Sequence, residues 1–480
     1  MTRPALVWLR DDLRLDDHPA VSEVGDRPTL FVYIHDEVTP KPRPLGGASR
    51  WWLARSLESL KARVAAIGGR LDVLSSPAES TLLALARASG ASHVYWFRRY
   101  SGAEIEIDKR VKAALSGMAI VAQSFNGSLL REPWEVASEA GASFKVFTAF
   151  WRRHRALGRF AIPKPAPDRL VAAPWPDAAP PRSEIADLHL IPTAPDWSGG
   201  LADTWRPGEA GAQSRLDRFV SESLADYPDA RDRPDGEHTS MLSPHLRFGE
   251  ISPRRVVGAI EAAAKSGDVS SRAAEAFLSQ IGWREFSYAL LLGFPDLATQ
   301  PWRARFEGFP YQKDAEGFRA WTRGRTGYPI IDAGMRELWT TGYMHNRVRM
   351  IAASFLIKHL MIDWRQGEAW FWDTLCDADP ANNASGWQWV AGSGADAAPY
   401  FRIFNPVLQG EKFDSEGLYV KRWVPELARL PPGFVHAPWT APAEVLARAG
   451  VEIGRNYPAP IVDHAFARRR ALAGLASMKD

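Results

Sequence analysis

Cysteine is almost missing: Cys376 stands alone among 480 residues. A single thiol excludes an intrachain disulfide and any cysteine-cluster metal site, and it suits a reducing, cytosolic setting. An excess of one charge is missing too. Lys and Arg number 59 against 56 Asp and Glu, a formal net charge of +3. Bulk charge therefore points to no nucleic-acid partner, and only basic residues clustered on one face would do so. No apolar run has the length of a membrane span. The opening MTRPALVWLRDDLRL turns charged too early for a signal peptide. No G-x-G-x-x-G opens the first helical pattern, so the dinucleotide fingerprint is absent, and no metal ligand set is expected.

What is abundant is tryptophan, 20 residues of it, more than packing alone requires. Core packing accounts for over half by default, and the surplus points to stacking or electron transfer. The length predicts two or more domains. Residues 1–130 alternate short apolar runs with helical patterns, as parallel α/β sheets do. Strands are predicted over 5–10, 29–36, 71–76, 93–99 and 119–125, with helices over 49–67, 78–90 and 102–115. Residues 131–204 are rich in proline and alanine and read as a stiff linker, with one helix around 144–157. From 205 to 480 the periodicity is helical, through 212–227, 254–266, 273–292, 332–341 and 346–362. The fold class expected is an α/β domain with a parallel five-stranded Rossmann-like sheet, followed by an all-α domain.

The segment 377–413, DADPANNASGWQWVAGSGADAAPYFRIFNPVLQGEKF, is the most informative. Its small residues let backbone and helix ends approach a ligand closely. Asp377, Asp379, Asn382 and Asn383 bring hydrogen-bonding groups, and Trp387 and Trp389 bring aromatic faces. Together with WREF (283–286), TGYPIIDAGMREL (326–338) and GYMHNRVRMIAASFL (342–356), this ordered string resembles the flavin-binding region of the DNA photolyase and cryptochrome family.

That resemblance implies non-covalent FAD. The residues it assigns to the pocket are Tyr227, Thr239, Ser240, Met241, Leu242, Ser243, Arg284, Asn346, Arg349, Asp377, Asp379 and Asn383. Thr239, Ser240 and Ser243 are also good capping types for the helical stretch that follows, and an Arg349–Asp377 ion pair is expected. Asn383 matches the position beside flavin N5, where an amide suits repair. Trp283 and Trp389 match the tryptophans that stack on a flipped-out cyclobutane dimer, and Met350 also matches the dimer type. Arg347 and Arg402 are candidates for phosphate contacts to UV-damaged DNA. Trp387 and Trp364 match the inner and middle members of an electron-transfer chain. The outer position falls on Tyr311, with Trp339 or Trp302 as alternative exits. Gln280 departs from the pattern, which has glutamate there to hydrogen-bond the lesion.

The resemblance also implies a second chromophore, methenyltetrahydrofolate. Glu104 sits where folate-binding members have glutamate, but Ala103 replaces an asparagine, and a surface glutamate is the default reading. Trp51 and Trp52 are candidates to stack on a pterin, with helix packing the default. The expected activity is light-dependent repair of cyclobutane pyrimidine dimers by a cytoplasmic monomer (a deoxyribodipyrimidine photo-lyase). The alternative is a blue-light cryptochrome, which often has a C-terminal extension not seen in this sequence.

Overall fold

Every residue of β1 (Ala5–Leu9) and β2 (Thr29–His35) is buried, the pattern of strands covered on both faces. With β3 (Leu71–Ser75), β4 (His93–Phe97) and β5 (Val121–Phe125) they form one sheet, ordered β3-β2-β1-β4-β5 with all neighbours parallel. Val7 lies opposite Phe31 on one side and Tyr95 on the other. Besides the short helix Pro19–Val24 between β1 and β2, the crossover helices are α1 (Gly47–Ala66), α2 (Ala78–Ala88) and α3 (Gly102–Gly117). Leu82 and Leu85 of α2 and Val111 and Leu115 of α3 pack with Trp8 and Trp96 of the sheet in one core. The strand order reverses at β1. There Arg10 holds Asp108 at 2.8 and 3.1 Å, and Trp96 Nε1 donates to the same carboxylate at 2.9 Å.

The computed structural model describes residues 2–39, 43–137, 143–396 and 401–478. Residues 138–142 of the proline-rich segment and 397–400 of the 377–413 stretch lie outside the described residues. The chain divides into two compact units, Met1–Ala225 with Ser240–Pro295, and Asp226–Thr239 with Asp296–Asp480. Beyond the sheet, the first unit contains α4 (Phe147–Ala156), α5 (Glu209–Glu222), α6 (Pro253–Ser266) and α7 (Ser271–Gly293). The second is built on α8 (Pro329–Thr341), α9 (Asn346–Ser354), α10 (Trp364–Thr374), α11 (Asn382–Ala391) and α12 (His464–Ser477). Among the described residues no strand longer than an isolated bridge follows Phe125. No helix of the described residues is long and apolar enough to cross a membrane.

Side chains fix several helix starts. Ser252 accepts from Arg255 N at 3.0 Å and Ser270 from Ala273 N at 3.1 Å, each satisfying an orphan amide. Two predicted helices are shorter than their periodicity suggested. The one expected over 212–227 stops at Glu222, and a separate turn, Tyr227–Ala230, starts with Pro228 in its first positions, where proline needs no amide donor. The one expected over 346–362 is α-helical only to Ser354 and continues as a π-turn, Phe355–His359. Apolar spacing does not separate these two windings.

Candidate functional site

The start of α11 is organised by one carboxylate. Asp379 Oδ1 accepts from Ala381 N at 2.9 Å, from Asn382 N at 2.8 Å and from Asn382 Nδ2 at 2.8 Å. One helical turn on, Asn383 Nδ2 donates to the Glu368 carbonyl at 3.0 Å and to Glu368 Oε1 at 2.8 Å. With the amide nitrogen held this way, Asn383 presents its oxygen as the acceptor.

Arg349 of α9 grips Asp377 with both Nη atoms, at 3.1 and 2.8 Å. The Asp377 side chain is 4% exposed and that of Arg349 23%. Arg349 Nε donates to the Met344 carbonyl at 2.7 Å, and the guanidinium lies 5.4 Å over the Tyr343 ring. The Tyr343 hydroxyl meets Thr239 Oγ1 at 3.4 Å. The expected pair is present, and it joins Thr239, Arg349 and Asp377 into one polar network. Tyr227 is buried, which pushes its phenol up to about 12. Asn346 is exposed, while Met350 and Trp389 are half-buried against the helical core.

Next to this network lies Glu337, which sequence reasoning missed. Tyr419 Oη donates to Glu337 Oε2 at 2.6 Å, and His345 N donates at 3.4 Å. Burial outweighs those bonds and pushes the carboxyl from 4.5 up to about 7. Between these values the folded chain holds a proton that the unfolded chain has lost. Stability is therefore greatest at the acid end of the window and falls as pH rises towards 7. The slope should be at most about 1.4 kcal/mol per pH unit, and Glu337→Gln should remove it. Thermal melts of both proteins across the window check this, and an unchanged slope in the variant would assign it elsewhere.

The capping expectation around 238–252 is corrected. The helix there is short, Ser243–Arg247, and its N-cap is Leu242, whose side chain has nothing to offer the orphan amides. Ser240 Oγ instead accepts from Leu242 N at 3.4 Å, and Ser243 is exposed. Met241 adopts φ 49°, a left-handed conformation rare for a long side chain. The turn geometry, set by Met241 and Ser240, replaces the cap.

In the first unit, Gln280, Trp283 and Arg284 share α7. Trp283 stacks on Phe147 with centroids 3.9 Å apart and planes at 11°. Gln280 Nε2 donates to Ser279 Oγ at 3.1 Å. Arg284 donates to the Ser128 carbonyl at 2.7 Å and lies over Tyr288 at 5.1 Å. Glu104 is not the surface residue its charge suggested. It is buried, accepts from Ser101 N at 3.4 Å at the start of α3 and pairs with Arg99 at 3.1 Å. Trp51 and Trp52 are both buried, and Trp52 Nε1 donates to Glu250 at 3.0 Å.

Trp387 and Trp364 are both buried. A Cβ added at Gly367 of α10 would lie 2.1 Å from Trp387 Cη2, so this glycine is what lets the outer edge of the indole come up against the helix. Ring contacts run outward from Trp387 to Trp321 at 6.2 Å, Phe318 at 5.9 Å, Trp370 at 6.4 Å and Trp339 at 6.0 Å. Trp339 is 55% exposed, so the series joins the core to solvent. Sequence spacing carried no sign of Trp321, Phe318 or Trp370, because their proximity is tertiary. Tyr311 is half-buried with its ring 4.9 Å from Phe309, and burial raises its phenol well above the usual range. Trp302 N donates to Gln388 Oε1 at 2.7 Å.

A cavity of about 1190 Å³ opens in the second unit. Its cations include Arg303, Arg305, Arg347, Arg402, Lys412 and Arg468, against the acids Asp229 and Asp232. Arg347 donates to Asp232 at 2.5 Å and lies 4.5 Å over Phe413. The near-neutral chain thus concentrates positive charge on one concave face, the footprint of a polyanion partner. Among the described residues no group of acids, histidines or cysteine is arranged to hold a metal ion.

Comparison with known proteins places this geometry. Two family profiles match, one described as DNA photolyase over residues 5–168 and one as the FAD binding domain of DNA photolyase over 277–477. The deoxyribodipyrimidine photo-lyase of Agrobacterium fabrum is 48% identical over all 480 residues of this chain and 98% of its own. Arabidopsis thaliana cryptochrome-2 is 39% identical over 98% of this chain and 78% of its own. The crystal structure of a bacterial class III photolyase from Agrobacterium tumefaciens superposes with a TM-score of 0.94 at 48% identity, covering 99% of this chain and 98% of that one. With the fold, the FAD-binding region and the whole length matched, the chain belongs to the DNA photolyase family.

Proposed function

We propose that this chain is a light-dependent lyase that splits cyclobutane pyrimidine dimers in DNA, working as a cytoplasmic monomer with FAD. The observation that carries the reading is the full-length match, at 48% identity, to a deoxyribodipyrimidine photo-lyase. The polar groups fit the cofactor: an anchored amide oxygen at Asn383, an acceptor, and a gripped Arg349–Asp377 pair lie in the matched FAD region. Reduced FAD, when bound, supplies the photoexcited electron that cleaves the dimer. We assign residues 1–130 to an antenna domain with Glu104 toward a folate, 131–204 to a linker and 205–480 to the catalytic domain.

The chain's own residues do the rest. Arg347 and Arg402 hold phosphates, which positions the duplex without reading its sequence. Trp283 and Trp389 stack on the extruded bases, a contact worth ~1–3 kcal/mol each, which offsets the cost of flipping. Gln280 reorients its amide from Ser279 and donates to a thymine carbonyl. Trp387 passes electrons inward when the cofactor must be reduced.

Gln280 can donate a hydrogen bond but cannot share an acidic proton. A charge-assisted bond is about twice as strong as a neutral one. Gln280→Glu should therefore raise the repair yield roughly two- to fivefold, with lesion binding little changed. The test mixes reduced protein with a dimer-containing oligonucleotide under blue light and follows recovery of thymine absorbance. Wild type should repair and the variant should repair faster. A wild type that takes up FAD but repairs no dimer would favour the signalling reading that the cryptochrome relative suggests.

A further inference from the structure

Lys358 lies in the π-turn Phe355–His359 and is 2% exposed. Its ammonium donates to the Arg402 carbonyl and sits 4.3 Å from the centroid of the Phe401 ring. Among the described residues no carboxylate pairs with it, although Phe401 and Arg402 above it line the basic cavity. Burying an ammonium without a counter-ion is costly, and a hydrophobic side chain would fill the space at less cost. The charged groups around it are no help. Arg402 is a cation, His359 is held to His464 at 2.8 Å, and Arg470 donates to the His359 carbonyl. Within the fold only loss of its proton relieves the group, so a counter-charge for the protonated form has to come from outside.

We propose that Lys358 is a positioning residue for DNA. From beneath, it holds Phe401 and Arg402 in the cavity wall, and it takes its counter-charge from the phosphate bound by Arg402. This rests on the DNA-repair reading above. It differs from an ordinary phosphate contact because Lys358 does not line the cavity and acts through the segment it supports. Burial, with the Arg402 charge adding to it, pulls its ammonium down to about 7. Free protein near neutrality therefore holds the charge only in part, and a bound phosphate favours the charged form. DNA binding should take up a proton, and it should weaken as pH rises above 7.

Dark binding of a dimer-containing oligonucleotide is measured across a pH series for wild type, Lys358→Met and Lys358→Arg, each checked for FAD content. The wild-type Kd should rise above pH 7 by at most about tenfold per pH unit. Lys358→Met should bind weakly with a flat profile, yet keep the wild-type light-repair rate at saturating DNA. Lys358→Arg, which stays charged, should bind tightly with a flat profile. A flat wild-type profile, or the wild-type slope persisting in either variant, would overturn the proposal. Should one variant fail to fold, the other and the wild-type slope still decide. Binding is read in the dark, so a wild type that binds dimers but repairs none overturns the repair reading and leaves this test standing.

Discussion

Trp387→Phe is expected to abolish or strongly slow light-driven reduction of the bound flavin, while chemically reduced protein keeps its repair activity. The reason is position. Trp387 is buried in the matched FAD region, pressed against α10 at Gly367. It also begins the ring-contact series that ends at exposed Trp339. Repair itself does not draw electrons through this series, so the two activities should separate. The outer donor can be found the same way. Burial raises the phenol of Tyr311, so electron loss there must be accompanied by loss of a proton to a poorly solvated surrounding. Among the described residues Trp387 makes ring contacts with Phe371 and Trp321 but not with Trp364. Photoreduction should therefore slow more in Trp339→Phe than in Tyr311→Phe. Equal rates in wild type and Trp339→Phe, with a large loss in Tyr311→Phe, would return the exit to Tyr311.

Asp377→Ala is expected to lower the unfolding free energy by about 3 kcal/mol and to yield a protein that retains little FAD. Removing one member of a buried pair strands the other, and the usual cost is ~3–5 kcal/mol. The lower end applies because the Arg349 side chain keeps contact with water. The loss should not stop at the pair. Arg349 also stacks over Tyr343, which meets Thr239, so an unanchored guanidinium disturbs residues from three segments. Denaturant unfolding and the flavin-to-protein absorbance ratio measure the two effects. A variant with full FAD content and wild-type stability would show that the pair is dispensable.

The inner strands β1, β2 and β4 were readable because strands buried on both faces leave unbroken apolar runs, and all five predicted strands occur within two residues of their predicted limits. The Arg349–Asp377 pair was readable too, though only through the ordered motifs that contain both residues. What escaped were features that local spacing does not encode. The π-turn at Phe355–His359 keeps the apolar pattern of a helix, and the contact of Lys358 with the Phe401–Arg402 segment is tertiary. Thr239, Ser240 and Ser243 were the right types for a cap, but backbone conformation at Met241 assigns Ser240 to the turn instead. Glu104 looked like a surface charge because its partner, Arg99, precedes the helix and closes over it in the fold.

The central claim is tested most directly by product analysis after illumination. Protein with reduced FAD is incubated with two oligonucleotides, one carrying a cyclobutane dimer and one a (6-4) photoproduct, under blue light and in the dark. Restored thymines should appear from the dimer substrate in the light, over repeated turnovers, and not from the other lesion or in darkness. FAD-loaded protein that restores neither substrate in the light would contradict the account.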